Sequence, residues 1–117
     1  DNTLLGIDAV LDHQLVASDV DEKRILELIS DQPTKIIITL IGGQGHIFGR
    51  GNQQFSAEVL RRIGRDNVII IATSGKLRSL DGRPLRMDSG DLELDRGWSG
   101  AVRVITGYEQ KSLYRIA

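Results

Sequence analysis

The sequence predicts an α/β fold: a mixed β-sheet with one right-handed βαβ unit, β-hairpins at both ends and two main helices. Three observations carry that expectation. Ile36–Ile41 and Asn67–Thr73 are apolar, β-branched runs that do not alternate, the pattern of parallel strands covered on both faces. Between them Ser56 opens a helical pattern with Val59, Leu60 and Ile63 inward, so strand, helix and strand form a crossover of fixed hand. Towards each end, two short apolar or alternating runs flank a turn.

In chain order, Thr3–Leu11 and Gln14–Ala17 form the first hairpin around Asp12-His13, without the Asn-Gly pair that usually marks one. Asp8 interrupts its first strand; it either faces outward or bonds a turn, or else faces a ligand, and His13 at the tip is solvated. Ser18 or Asp19 caps a helix near 19–30, with Asp21 or Glu22 completing the capping box. Ile25, Leu26, Leu28 and Ile29 form its inner stripe, Lys23, Arg24 and Glu27 face water, and Pro33 closes it.

The second helix, near 56–64, leaves Arg61, Arg62 and Arg65 outside and ends on Gly64 as a left-handed cap. Ser74–Leu80 predicts a helical turn with Leu77 and Leu80 inward. Pro84–Asp88 predicts a short edge strand, and Ser89–Asp95 an acidic turn entering a helix. Ala101–Thr106 and Lys111–Ile116 alternate around Gly107–Gln110 and close the chain as an antiparallel hairpin.

Composition limits the function classes. At 117 residues, 40% hydrophobic, 26% charged and net −1, residues 1–117 read as a single soluble domain. That balance argues against nucleic-acid and membrane partners, and no apolar run nears the ~20 residues of a membrane span. Without cysteine or a secretory leader the expected compartment is cytoplasmic. The first residue is Asp1 rather than Met, so a fragment of a longer chain is expected.

The chemistry-bearing stretch is residues 35–57, which hold no acidic residue. A strand empties into Gly42-Gly43-Gln44-Gly45, and Gly49 and Gly51 then bracket Arg50. Glycine amides beside a cation can cradle an anion; the same residues can also make only a tight turn. Named motifs are absent: no G-x-x-x-x-G-K-[ST] occurs, and Gly49 falls one place late for G-x-G-x-x-G.

Parallel neighbours put both strand exits on one edge, so Gly42–Gly45 and Thr73–Lys76 should meet there. The candidate ligand-binding residues are therefore Gly42, Gly43, Gln44, Gly45, Arg50, Asn52, Ser74 and Lys76. Arg50 either grips a phosphate or pairs with loop carbonyls or the acids of 88–95. Asn52, Gln53 and Gln54 read as satisfying loop backbone before ligand. His46 reads as a loop histidine without an orienting partner. Asp88, Asp91 and Asp95 read as an acidic helix start before a Mg²⁺ site. No catalytic or metal residue is assigned.

The run Thr39–Gln54, with G-G-Q-G-x-I-F-G-R-G-N-Q-Q inside it, resembles the C-terminal region of ATP-NAD kinase-like proteins, the predicted polyphosphate/ATP-NAD kinases. Asn67–Thr73, Arg83–Asp91, Val104–Tyr108 and the opening Thr3–Asp8 extend the likeness over nearly the whole chain. The resemblance implies phosphoryl transfer from ATP or polyphosphate to the NAD 2′-hydroxyl, with Mg²⁺, in a longer protein. It also implies an upstream kinase domain of the same chain as partner. The family's Gly-Gly-Asp-Gly hallmark lies N-terminal to this region. Gln44 is an amide that cannot take a proton as a carboxylate does, so no catalytic role passes to it. The 117 residues alone are thus expected to be inactive, contributing nucleotide- or phosphate-binding loops. The alternative is a non-catalytic module that senses a nucleotide or self-associates as a homo-oligomer.

Overall fold

A computed structural model describes residues 5–117. Strands β1 (Ala9–Leu11) and β2 (Gln14–Ala17) form the first hairpin. Asp12 and His13 turn it with φ of 52° and 65°, the left-handed pair that a two-residue primed turn needs. Asp and His occupy the places that Asn-Gly usually fills. Thr3 and Leu4, the start of the expected first strand, lie outside the described residues. Asp8 takes the turn-bonding role: its Oδ1 accepts the Asp19 amide at 3.1 Å, while Val20 N donates to Ile7 O at 2.8 Å.

That lock moves the helix start. Asp19 has φ 50° and cannot lead a helix; Asp21 caps α1 (Glu22–Ile29), accepting from Arg24 N at 2.9 Å. The expected cap at Ser18 or Asp19 is therefore corrected to Asp21. The inner stripe is as expected, with Ile25 buried and Leu26, Leu28 and Ile29 packed against the core.

Strands β3 (Ile36–Thr39) and β5 (Val68–Ile71) pair in parallel, Ile36 opposite Val68 through Thr39 opposite Ile71. β5 also pairs in parallel with β7 (Gly100–Gly107), which turns back antiparallel as β8 (Gln110–Ile116). The sheet order is β3-β5-β7-β8, so it is mixed as predicted. Helix α2 (Ala57–Ile63) fills the β3–β5 crossover and buries Val59, Leu60 and Ile63. Gly64 does take positive φ, 89°, but with ψ 150° rather than the left-handed helical value.

The expectation that β3 and β5 are covered on both faces fails among the described residues. Ile36 and Ile38 are buried, but Ile37 between them is 66% exposed. The buried row joins one core with Ile25 and with the inner face of α2. Continuous β-branched character therefore marks a sheet with one face left open here. No helix among the described residues is long and apolar enough to cross a membrane.

A short strand absent from the sequence reading, β4 (His46–Phe48), lies directly after the glycine loop. It pairs in parallel with β6 (Arg86–Met87), within the segment expected as an edge strand. Ile47 and Phe48 have no exposed surface at all. Phe48 meets Phe55 and Trp98 edge-on, with ring centroids 5.8 and 6.1 Å away, a favoured quadrupolar arrangement. The glycine-rich stretch is thus anchored through the centre of the core. Between β5 and β6 runs α3 (Ser74–Arg78), followed by Leu80; Leu77 and Leu80 point inward as predicted. α4 (Leu92–Gly97) follows the acidic turn.

Candidate functional site

In-register parallel pairing of β3 and β5 sends both C-terminal ends out over one sheet edge. Gly42–Gly45 leave β3 there, and Ser74–Lys76 open α3 there. The two segments are linked through Gly45, whose Cα faces Leu80 just beyond α3. A Cβ at Gly45 would stand 3.1 Å from a Leu80 methyl. Ile41 N donates to His46 O at 2.8 Å, which pulls the glycine loop into a closed turn.

Gly42, Gly43 and Gln44 are exposed on the tip of that turn, and nothing lies within 4 Å of the Cβ positions at Gly42 and Gly43. No backbone hydrogen bond between loops or turns engages the Gly42 or Gly43 amide among the described residues. Across the edge, Thr73 Oγ1 accepts Lys76 N at 3.0 Å and caps α3. Capping falls to Thr73, so the exposed Ser74 hydroxyl is left over. Among the described residues the ammonium of Lys76 and the guanidinium of Arg50 form none of the ion pairs, which join Arg24–Glu27, Arg61–Glu58, Arg61–Asp91 and Arg62–Glu58.

Asn52 differs from the other candidates. It is 4% exposed; its Oδ1 accepts Gly49 N at 3.0 Å and its Nδ2 donates to Ile47 O at 2.8 Å. Both ends of the amide are consumed in holding the Arg50 loop. Asn52 holds the loop from behind, with Oδ1 and Nδ2 each engaged by backbone. Gln54 likewise donates to Leu5 O at 2.7 Å, and Gln53 reaches towards Gly49 O at 3.5 Å. The amide run serves backbone, the role that the sequence favoured for it.

The carboxylates of 88–95 are also engaged. Asp91 caps α4 by accepting Leu94 N at 3.1 Å and also pairs with Arg61. Asp95 accepts the Ser89 hydroxyl at 2.6 Å, and Asp88 accepts Gly90 N at 3.2 Å. Among the described residues no three His, Cys, Asp or Glu side chains gather as metal ligands. The described residues offer no fitting donor set for the Mg²⁺ implied by the resemblance.

Two residues gain a place that the sequence did not assign. Arg65, expected on the outer surface, donates through Nε to Trp98 O at 2.9 Å and through Nη2 to Ala101 O at 2.6 Å. It fastens the end of α4 to the start of β7. His46, expected in a loop, sits on β4 directly opposite Arg86 of β6. Its pKa is lowered by burial first, then by the positive fields of Arg50 and Arg86, with Asp88 opposing. The sequence carried no periodic signal for this cluster, because β4 and β6 are too short to show one.

The lowered value has a testable sign. The folded imidazole stays neutral where the unfolded one is already protonated, so the unfolded state binds more protons as pH falls. Stability contributed by neutral His46 is complete above the ordinary histidine value of about 6.5 and lost as pH drops through the folded value. In His46→Gln, unfolding followed by urea at stepped pH should lose that part of the acid-side decline. An unchanged decline would show that His46 plays no part in it.

Neither the curated proteins nor the solved structures contain a match to this chain. A family model does match, over residues 1–116, and it describes the ATP-NAD kinase C-terminal domain. A match over almost every residue places the chain in a family of known chemical context: it belongs to the ATP-NAD kinase C-terminal domain family.

Proposed function

We propose that this chain is the C-terminal domain of an NAD kinase-like phosphotransferase, acting in the cytoplasm on NAD with ATP or polyphosphate as donor. Its part is positioning: the loops at 42–51 and 73–76 hold nucleotide phosphates while an upstream kinase domain of the same chain supplies the reacting groups. Phosphoryl transfer depends heavily on such placement and on charge compensation.

The observation that supports this most directly is the in-register parallel pairing of β3 and β5. It brings the free amides of Gly42 and Gly43 to the same edge as the Ser74 hydroxyl and the Lys76 ammonium. Open α/β sheets bind ligands beyond the carboxyl ends of their strands for this reason. Each component suits a phosphate: amides and a hydroxyl donate hydrogen bonds, and Lys76 and Arg50 supply charge. No carboxylate in the matched loop can deprotonate a hydroxyl, so the domain binds and orients. The open row of β3 and β5, with Ile37 bare, fits burial against further protein in the full-length chain.

Calorimetric titration with NAD, ATP and polyphosphate tests the reading. Arg50→Ala and Lys76→Ala should each weaken binding by roughly tenfold or more, the effect of losing a charge-assisted hydrogen bond. Affinity unmoved by both changes would leave the loops as turns only.

A further inference from the structure

Beside the glycine loop lies a cleft of about 470 Å³ lined by His46, Pro84, Arg86, Met87, Asp88 and Ala117. It is distinct from the exposed tip at Gly42–Gln44 and from Ser74 and Lys76, none of which lines it. We propose that this cleft binds a phosphate dianion, either inorganic phosphate or the terminal phosphate of a phosphorylated metabolite, through the Arg86 guanidinium and the His46 imidazole.

The geometry begins with strand register. β4 and β6 are parallel neighbours with His46 opposite Arg86, so the two side chains project together from one face. Arg86 N donates to Gly45 O at 2.9 Å, which fixes the relative height of the two residues. Gly49 and Asp88 then come into backbone contact so close that a Cβ at Gly49 would stand 2.8 Å from the Asp88 carbonyl carbon. That close approach fixes Asp88, one of the lining residues, against the end of β4.

The His46 imidazole lines the cleft. Nδ1 of His46 is buried with no hydrogen-bond partner. Nδ1 therefore has no protein partner to hold its proton, and the tautomer with hydrogen on Nε2 can donate to a bound anion. Arg86 is exposed and joins none of the ion pairs among the described residues. Arg50 is close enough for its charge to act on His46. The Arg86 guanidinium and the His46 imidazole line the cleft together, and a tetrahedral dianion offers acceptors for both. Asp88 is the one carboxylate that acts on His46 from this neighbourhood, and it partly offsets the positive field.

This inference does not rest on nucleotide binding by Gly42–Gly45 and Ser74–Lys76, although His46 also lies within the proposed loop at 42–51. Phosphate can bind here if that reading fails, and the nucleotide loops can bind if this cleft stays empty.

The experiment uses the two histidines of the chain as separate reporters. Inorganic phosphate is titrated into the protein while the ring protons of His46 and His13 are followed by NMR across pH. A bound dianion should raise the titration midpoint of His46 and leave His13, at the hairpin turn and outside the cleft lining, unmoved. Arg86→Ala should weaken phosphate at least tenfold, Arg86→Lys should restore part of the affinity, and Asp88→Asn should tighten it. Lys76→Ala should change phosphate affinity less than twofold, which separates this cleft from the nucleotide loops.

Ribose 5-phosphate identifies the source. Binding tighter than inorganic phosphate marks a phosphorylated metabolite as the ligand, and equal or weaker binding marks free phosphate. Equal shifts at both histidines, or full affinity in folded Arg86→Ala, would overturn the proposal.

Discussion

Gly49→Ala is expected to destabilise the protein by roughly 2–5 kcal/mol, a large share of the ~5–15 kcal/mol that holds a typical domain. Two separate causes add. Gly49 has φ +95°, a region where a side chain costs about 1–2 kcal/mol. An added methyl would also stand 2.8 Å from the Asp88 carbonyl carbon and 2.9 Å from its Cβ. That crowding adds about 1–3 kcal/mol, because the obstacle is largely main chain already fixed by the Asp88 N to Phe48 O hydrogen bond at 3.1 Å. Gly43→Ala is the control. No atom lies within 4 Å of its Cβ position and its φ is outside the strained range, so stability should move by only about 0.5 kcal/mol. Urea unfolding of both variants decides the matter. Equal midpoints would show that β4 and β6 do not approach each other as described.

Asn52→Ala should cost about 2–4 kcal/mol without removing any ligand contact. The substitution orphans two backbone groups at once, Gly49 N–H and Ile47 C=O, each worth about 1–3 kcal/mol when left buried and unpaired. Asn52→Asp should not rescue it. The carboxylate can still accept from Gly49 N, but it presents an oxygen to Ile47 O and places a charge in a position 4% exposed. Its stability should therefore fall further as pH rises and the side chain ionises. Thermal unfolding reads the loss, and ligand titration at low temperature separates it from binding. If Asn52→Ala kept its melting temperature but lost nucleotide affinity, the amide would be a ligand contact after all.

These two predictions concern one stretch, and they show where sequence reading succeeds and stops. The crossover of β3, α2 and β5 was legible because its signals are long. Four consecutive branched residues make a strand, and Val59, Leu60 and Ile63 recur at helical spacing. The closing hairpin was legible for the same reason, since alternation persists along both of its strands. Capping was less so. Ser18, Asp19 and Asp21 are all good caps by type, and the Asp8 contact to Asp19 N selected among them.

β4 was not legible at all. Its three residues lie between glycines, too few for any period, and their strand geometry comes from pairing with Arg86 and Met87 far along the chain. The meeting of His46 with Arg86 follows only from that pairing. Arg65 escaped in the same way: its partners, the carbonyls of Trp98 and Ala101, are backbone groups that no side-chain pattern announces.

The linear order of residues determined the class of fold, the parallel crossover, the family and a glycine-rich loop poor in acid. Local spacing suffices for these, because backbone propensity and the burial of one face act within a few residues. Tertiary structure alone decided that the Asn52 amide bonds the backbone of Gly49 and Ile47, that one sheet face stays open, and which cations act on His46. Those outcomes depend on which main-chain groups are left to be satisfied once distant segments have packed, and residue order by itself does not state that.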